Sequence, residues 1–511
     1  MKKIFLTVLT FIILQPLCFA QTTEAFNLSG IIESFMNFSV SNGDNTEGSS
    51  AKETFLNAEE NLENGNVVVA SGEYLKTINS LDNNAALLML SRRLYDIGYF
   101  ALGDIAISRI TEKGAMEFQI EDLKRAYKPF LSLTKEEENY LAKARASIFY
   151  NSSPEEVAFN LIKKTTLMEN SDYANFIMAQ AMAECRQYNQ ALIYVDKAIA
   201  KNENNSKYKV FRAKTLSDMK KYKEALKYIE KNEDNISVFL KTDLMILKQT
   251  VLSNLNSNDN DKKFDTVYSY YIAGNYYKTL NETKNILNFT KNNYKIITLK
   301  GMAHLALGEV ENANLEFISS YKLNKKFPLT IMGLGDIKFI QKDYKGAYSY
   351  YKKLYNTDLK QEAILKSTLC LENMGAQVSK KLAKLEKAKS TFENKIFYEY
   401  YLVANNLYSD DLNKRKYAAK SLNINFLNDD TWNILYGTDF RSNNFLNVDK
   451  ISYLLSFSGK CGAEYYYYSA LSENKKNNKK EAFHLAKKAL EINPEYKPAI
   501  DLINVLQNEL I

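Results

Sequence analysis

A repeating interval of 34 residues constrains the fold of this chain more than any other feature of its sequence. Tyr188 and Tyr222 are separated by this interval, and so are Ala191 and Ala225. The same interval separates further pairs of small residues: Ala179 and Ala213, Gly274 and Gly308, Gly301 and Gly335, and Ala313 and Ala347. A sequence that repeats in this way folds as a row of stacked structural units.

Apolar residues between these positions recur every three or four residues, in blocks of about 12 to 16 that are typical of amphipathic helices. Short clusters of Asn, Lys, Gly and Asp separate the blocks and are typical of turns. The 511 residues include six prolines and 18 glycines, which suits helices better than a many-stranded protein. The sequence therefore predicts an all-α fold, an α-solenoid of antiparallel helix pairs.

Within each repeat, large and small residues alternate on a fixed schedule. In 187–192 and 221–226 a tyrosine opens the second helix, and an alanine follows three residues later where the two helices cross; 342–347 has the same order. Small side chains at a crossing let the helix backbones approach closely. This pattern resembles the tetratricopeptide repeat family, whose 34-residue repeat has an aromatic-x-x-Ala entry to its second helix and a closing proline. The resemblance implies a right-handed superhelix that binds other proteins.

The pattern divides the chain into segments with different predicted roles. We expect a break or hinge near residues 256–262, where an Asn- and Asp-rich linker follows a helix that is out of register. The predicted segments are a signal peptide (1–20), a flexible leader (21–50), N-terminal helical repeats (51–255) with tetratricopeptide-like pairs at 172–239, further such repeats (263–375), divergent helical repeats (376–462), and a C-terminal repeat with a capping helix (463–511).

The first twenty residues differ in character from the rest. Lys2 and Lys3 precede an apolar run from Ile4 to Leu14, and small residues follow up to Ala20. This order is typical of a secretory signal peptide, with cleavage between Ala20 and Gln21. Lipid attachment at Cys18 is an alternative that the sequence leaves open.

No later stretch approaches the roughly 18 apolar residues that a spanning helix needs, so we expect no transmembrane segment in the mature chain. The short basic start and apolar core look bacterial. The chain is therefore expected to be exported, to the periplasm, the outer membrane or the exterior, and an association with an outer-membrane complex is one form of this expectation.

The sequence lacks the motifs that common enzyme classes use. His304 and His484 are its two histidines, and it contains no phosphate-binding glycine motif, no C-x-x-C pair and no nucleophile elbow. We therefore predict no catalytic residue, no cofactor and no metal site. The formal net charge of +7 is small beside 67 basic and 60 acidic residues, and the lysines are interleaved with glutamates, so no nucleic-acid partner is expected.

The three cysteines of the mature chain, Cys185, Cys370 and Cys461, are too far apart in sequence to indicate a disulfide framework. Buried, inert thiols are the favoured interpretation, with a bridge between Cys370 and Cys461 as the alternative.

The resemblance places a set of residues on the first helices, which line the inner surface of such a superhelix. The predicted protein-binding groove consists of Tyr173, Phe176, Gln180, Lys207, Lys214, Met302, Leu305, Met332, Asp336 and Phe339. Its later part is apolar and contains methionine, which suits an adaptable contact with an apolar partner. The lysine and asparagine clamp by which some family members hold a C-terminal carboxylate is not reproduced, because Phe176 and Gln180 occupy its opening positions. Packing of these residues against the next repeat is the alternative.

The leading functional hypothesis is a non-catalytic scaffold of the bacterial envelope that binds partner polypeptides in this groove. A chaperone-like binder of extended polypeptides is the second hypothesis. The third is an enzyme with a site in residues 376–462, built around Asp429, Asp430 and Trp432.

Overall fold

The computed structural model describes residues 46–111, 113–150, 153–255, 258–387, 395–458 and 461–510. Within these ranges the regular elements are 28 α-helices and one short 3-10 helix, without a strand. The predicted all-α fold is thus confirmed. The predicted signal peptide with Cys18 and residues 21–45 of the predicted leader lie outside the described residues, whereas residues 46–50 already belong to the first helix.

Three blocks of helices follow one another along the chain. The N-terminal block, residues 46–255, consists of α1 (Thr46–Glu63), α2 (Val67–Ser80), α3 (Asn84–Ile97), α4 (Phe100–Ser108), α5 (Lys113–Tyr127), α6 (Lys135–Phe149), α7 (Pro154–Ile162), α8 (Thr165–Asn170), α9 (Asp172–Glu184), α10 (Tyr188–Lys201), α11 (Ser206–Asp218), α12 (Tyr222–Asn232) and α13 (Lys241–Leu255).

The middle block, residues 258–387, consists of α14 (Asp259–Ile272), α15 (Tyr276–Phe289), α16 (Tyr294–Ala306), α17 (Val310–Leu323), α18 (Pro328–Ile340), α19 (Tyr344–Lys352), α20 (Lys360–Asn373) and α21 (Ser379–Lys387). The C-terminal block, residues 395–510, consists of α22 (Lys395–Leu407), α23 (Asp411–Ile424), α24 (Asp429–Arg441), α25 (Phe445–Ser456), α26 (Ala463–Lys475), α27 (Lys479–Ile492) and α28 (Lys497–Leu510). Consecutive helices pack on each other in all three blocks.

One turn geometry joins the two helices of a pair in every block. A residue with positive φ stands two positions before the second helix in nine turns: Gly65, Gly98, Arg186, Lys220, Gly274, Gly308, Lys342, Asn443 and Asn477. The next amide closes the turn by donating to a carbonyl five residues earlier, as Gln187 does to Met182 (2.8 Å) and Asn444 to Asp439 (2.9 Å). This is a left-handed helix cap. Asn443 and Asn477 are again 34 residues apart, so the period extends into the C-terminal block.

The helix crossings are packed as the sequence predicts. Ala191 and Ala313 are completely buried. A methyl group at Gly333 would overlap the ring of Phe317, which fills the space between two repeats. Thr279 replaces the expected crossing alanine, and its hydroxyl is satisfied by donating to the carbonyl of Asn275 (3.0 Å).

The N-terminal block does not form an open row of pairs. Helix α6 packs against α9, and α5 packs against α11, so two helices from outside the clear repeats cover the first helices of the clear ones. Helix α5 in turn contacts α23, and α3 contacts α25. One continuous apolar core therefore includes residues from 51 to 251 and from 418 to 465.

The C-terminal block thus closes on the N-terminal block across more than 300 residues of sequence. The side chain of Arg92 donates to the carbonyl of Leu427 (2.8 Å) and to a carboxylate oxygen of Asp429 (2.6 Å). The rings of Phe55 and Phe457 meet edge to face with centroids 4.9 Å apart. We call this contact between the blocks the closure; period and spacing do not reveal it.

Candidate partner-binding surface

The predicted early groove, on α9 and α11, is mostly filled by the chain itself. Tyr173, Phe176 and Gln180 are 2%, 1% and 9% exposed. The ring of Phe176 packs on that of Tyr208 in the next first helix (4.7 Å), and Tyr173 packs on Phe100 of α4 (4.8 Å). The expectation that these three side chains face an open groove does not hold, because α4 and α6 and the next repeat cover them.

The two lysines of the early groove have different surroundings. Lys207 makes an ion pair with Asp96 of α3 (3.1 Å), and its ammonium lies 5.1 Å from the ring centre of Tyr127. Lys214, one turn and a half further along α11, is exposed to solvent. Of the five early residues, Lys214 alone is open to a partner.

The predicted late groove, on α16 and α18, is divided. Met332 and Phe339 are 5% and 2% exposed, and Phe339 lies between the rings of Tyr344 and Tyr408, each with its centroid 5.2 Å away. Met302 and Leu305 are half-buried. Met332 and Phe339 are therefore core residues, whereas Met302 and Leu305 keep accessible surface.

Asp336, the charged member of the late groove, is committed to a buried ion pair. Both of its carboxylate oxygens accept from the ammonium of Lys366 (2.9 and 2.8 Å), and the hydroxyl of Tyr351 donates to it as well (2.8 Å). Burial raises the pKa of Asp336, and the ion pair with Lys366 opposes this shift. Asp336 thus has a structural role within the middle block.

Helix α16 has fewer neighbours than the first helices of the N-terminal block. Among the described helices it packs extensively only on the ones adjacent to it in the row, α14, α15, α17 and α18. Met302 and Leu305 lie on this helix. Sequence register found them, but it gave no means to distinguish them from Met332 and Phe339, since the difference depends on which helices return to cover each face.

Exposed apolar side chains in the middle block escaped the sequence analysis because they lie on second helices. Phe289, at the end of α15, is 90% exposed, and Leu315 on α17 is 64% exposed. Ile318 and Leu323, also on α17, are 38% and 46% exposed. Aromatic and aliphatic side chains held on rigid helices are suitable anchors for a protein partner.

Residues proposed for an enzyme site have structural partners instead. Trp432 is 2% exposed and donates its indole N–H to the carbonyl of Phe426 (2.7 Å), while Asp429 belongs to the closure. Asp430 is exposed. In the described part of the chain, no three His, Cys, Asp or Glu side chains lie together as metal ligands would. His304 pairs with Glu309 across 2.6 Å at the surface.

The cysteines of the mature chain are free thiols in this structure. Cys370 is completely buried, and burial raises the pKa of its thiol to about 12. The alternative of a bridge between Cys370 and Cys461 is thus not what the structure shows. None of the described helices combines the length and the apolar character needed to cross a membrane.

These features define an α-helical repeat protein of tetratricopeptide-type helix pairs. No protein-family model matches the chain, and no curated protein matches it.

Solved structures with a similar helical arrangement include three at low identity. The yeast Tom70 structure is 12% identical, covers 78% of this chain and 96% of its own, and has a TM-score of 0.27. The APC/C hetero-tetramer Cut9-Hcn1 is 13% identical over 72% and 90% of the two chains, with a TM-score of 0.24. The P58(IPK) TPR domain is 12% identical over 73% and 98%, with a TM-score of 0.21. At these identities and TM-scores the likeness concerns the helical fold alone.

Proposed function

We propose that this protein is an exported, non-catalytic scaffold that binds partner polypeptides through the middle block. The observation that carries the proposal is the open face of α16. Met302 and Leu305 remain accessible there, whereas the corresponding faces of α9 and α11 are covered from within the chain. Export rests on the basic and apolar order of residues 2–20.

The partner surface has a recognisable chemistry. A methionine and a leucine on a rigid helix offer an adaptable apolar strip, and the exposed Phe289 and Leu315 extend the apolar character of the block. A partner that buries an apolar helix face or an extended apolar segment would fit this surface.

The test is an affinity pull-down of the tagged mature chain from crosslinked envelope extract, with partners identified by mass spectrometry. Wild type is compared with the double variant Met302→Glu/Leu305→Glu and with Leu412→Glu, a control at an 80% exposed position on α23. Far-UV circular dichroism checks that each variant is folded.

We expect one or two stoichiometric partners that the double variant loses and the control keeps. Partners that both variants retain would refute binding through α16. A diffuse set of unfolded clients would favour the chaperone-like alternative over a scaffold.

A further inference from the structure

Three basic side chains converge on one carboxylate inside the N-terminal block. Asp96 of α3 lies 3.1 Å from the ammonium of Lys207 on α11, 3.8 Å from the guanidinium of Arg145 on α6, and 3.9 Å from that of Arg93. Burial alone would raise the pKa of Asp96, but these three cations lower it well below its usual value. Asp96 is therefore ionised in the folded protein.

The three cations are not equally well paired. Arg93 makes a two-pronged contact with Glu59, from Nε to Oε1 at 3.0 Å and from Nη2 to Oε2 at 2.6 Å. Lys207 has the shortest contact with Asp96. Arg145 has only the 3.8 Å approach to Asp96 and a contact with the ring of Phe149.

Arg145 is consequently an underused donor. Its side chain is 14% exposed, yet among the described residues it donates no hydrogen bond that meets ordinary geometry. A guanidinium carries five N–H donors in a planar fork, and leaving them unmade in a buried place is costly. Something with acceptor oxygens is missing beside Arg145.

A second, independent group points to the same place. The hydroxyl of Tyr173 on α9 is buried without a hydrogen-bond partner, in a residue that is 2% exposed. A Cβ atom at Gly98, two residues after Asp96, would come within 2.6 Å of this hydroxyl, and the charge of Arg145 acts on it. The side chain of Asp96 is 31% exposed, so the region is open to solvent.

We propose that Arg145 and Tyr173 form a binding site for a single carboxylate group. The fork of Arg145 and the hydroxyl of Tyr173 supply donors for two oxygens, and a carboxylate balances the one positive charge that Asp96 does not. A phosphate dianion would bring a second negative charge next to Asp96, so it fits less well.

This site is separate from the proposed surface on α16. It also differs from the carboxylate clamp of the resembled family, because its guanidinium comes from α6, outside the clear repeats. Glu138, whose charge also reaches Tyr173, has a pKa raised to about 7 by burial, so it opposes an incoming anion only in part near neutral pH.

The test measures binding of acetate, and of a short peptide with a free or an amidated C-terminus, to the mature chain by isothermal titration at constant ionic strength. The variants are Arg145→Gln, Tyr173→Phe and, as a control, Arg212→Gln, whose guanidinium pairs with Asp196 at the surface. We expect saturable binding that Arg145→Gln weakens by about 10-fold or more, that Tyr173→Phe weakens by a smaller factor, and that Arg212→Gln leaves unchanged.

Acetate binding without a preference for the free peptide would identify a small-molecule carboxylate, and tighter binding of the free peptide a polypeptide one. Absence of saturable binding to wild type, or equal binding by Arg145→Gln and Tyr173→Phe, would overturn the site and leave water as its occupant. Envelope partners retained by Arg145→Gln in the pull-down would leave the scaffold function standing.

Discussion

Replacing Arg92 by methionine should loosen the closure between the N-terminal and C-terminal blocks. Arg92 and Asp429 are 5% and 10% exposed and lie 2.6 Å apart. The guanidinium also donates to the carbonyl of Leu427 and lies 5.4 Å from the ring centre of Phe239. Methionine keeps the apolar stem but removes every polar contact at once.

The expected cost follows from the burial of this pair. Removing one partner of a buried ion pair leaves the other charge uncompensated and costs about 3–5 kcal/mol. With a urea m-value of about 2–3 kcal/mol/M, the unfolding midpoint of the C-terminal block should fall by about 1–2 M. Adding Asp429→Asn to the variant should restore part of the loss, because the stranded charge disappears.

The sole tryptophan of the chain reports on this contact directly. Trp432 is buried on α24, one turn from Asp429, so its fluorescence follows the C-terminal block while far-UV circular dichroism follows all helices. Arg441→Met on the same helix is the control, since its ion pair with Asp411 is 43% and 36% exposed and is worth about 0–1 kcal/mol. Equal fluorescence midpoints for Arg92→Met and Arg441→Met would refute the closure as a stabilising contact.

Three further changes have expected outcomes. Burial raises the pKa of Glu138 from 4.5 to about 7; between these values the unfolded chain loses its proton first and wild-type stability falls with rising pH. Glu138→Gln should therefore gain about 1–2 kcal/mol at pH 8 after allowance for solvent screening, and urea midpoints that fall equally from pH 5 to pH 8 in both proteins would contradict this. Gly333→Ala should cost about 1–3 kcal/mol by overpacking, whereas Gly72→Ala, with nothing within 4 Å of its Cβ, should gain about 0.5–1 kcal/mol; a gain in thermal stability at both sites would disprove the packing argument. Asp336→Asn should cost about 2–4 kcal/mol because Lys366 is 9% exposed, although a second carboxylate remains 2.9 Å from it; an unchanged urea midpoint would show that the pair is not structural.

The helix pairs could be predicted from sequence because their physical causes are local. A small residue at each crossing and an aromatic at each second-helix entry recur with the period of the pair, as Ala191 and Tyr188 show. The turn at Asn443 was harder to find, since an asparagine there adopts the left-handed conformation that glycine adopts at Gly308. The period is the same, but the residue type that marks it differs.

The covering of the early groove could not be predicted from the same pattern. Register places Phe176 and Met302 on equivalent helix faces, yet only the first is covered, because α5 and α6 return over the N-terminal repeats. Such contacts join residues far apart in sequence and leave no periodic trace. One sequence signal was available: the chain has nine arginines among 67 basic residues, and Arg92, Arg93 and Arg145 are all in the interior, where the planar fork pairs best.

The central structural claim is that the C-terminal block packs on the N-terminal block and thereby leaves the middle block for partners. A zero-length carbodiimide crosslink tests it in the unmodified mature chain at low concentration. The ammonium of Lys241 lies 3.6 Å from the carboxylate of Glu399 across the two blocks, and Lys300 lies 2.6 Å from Glu316 within one pair. Mass spectrometry of the monomer should find both crosslinks; a crosslink between Lys300 and Glu316 without one between Lys241 and Glu399 would show that the solenoid is open.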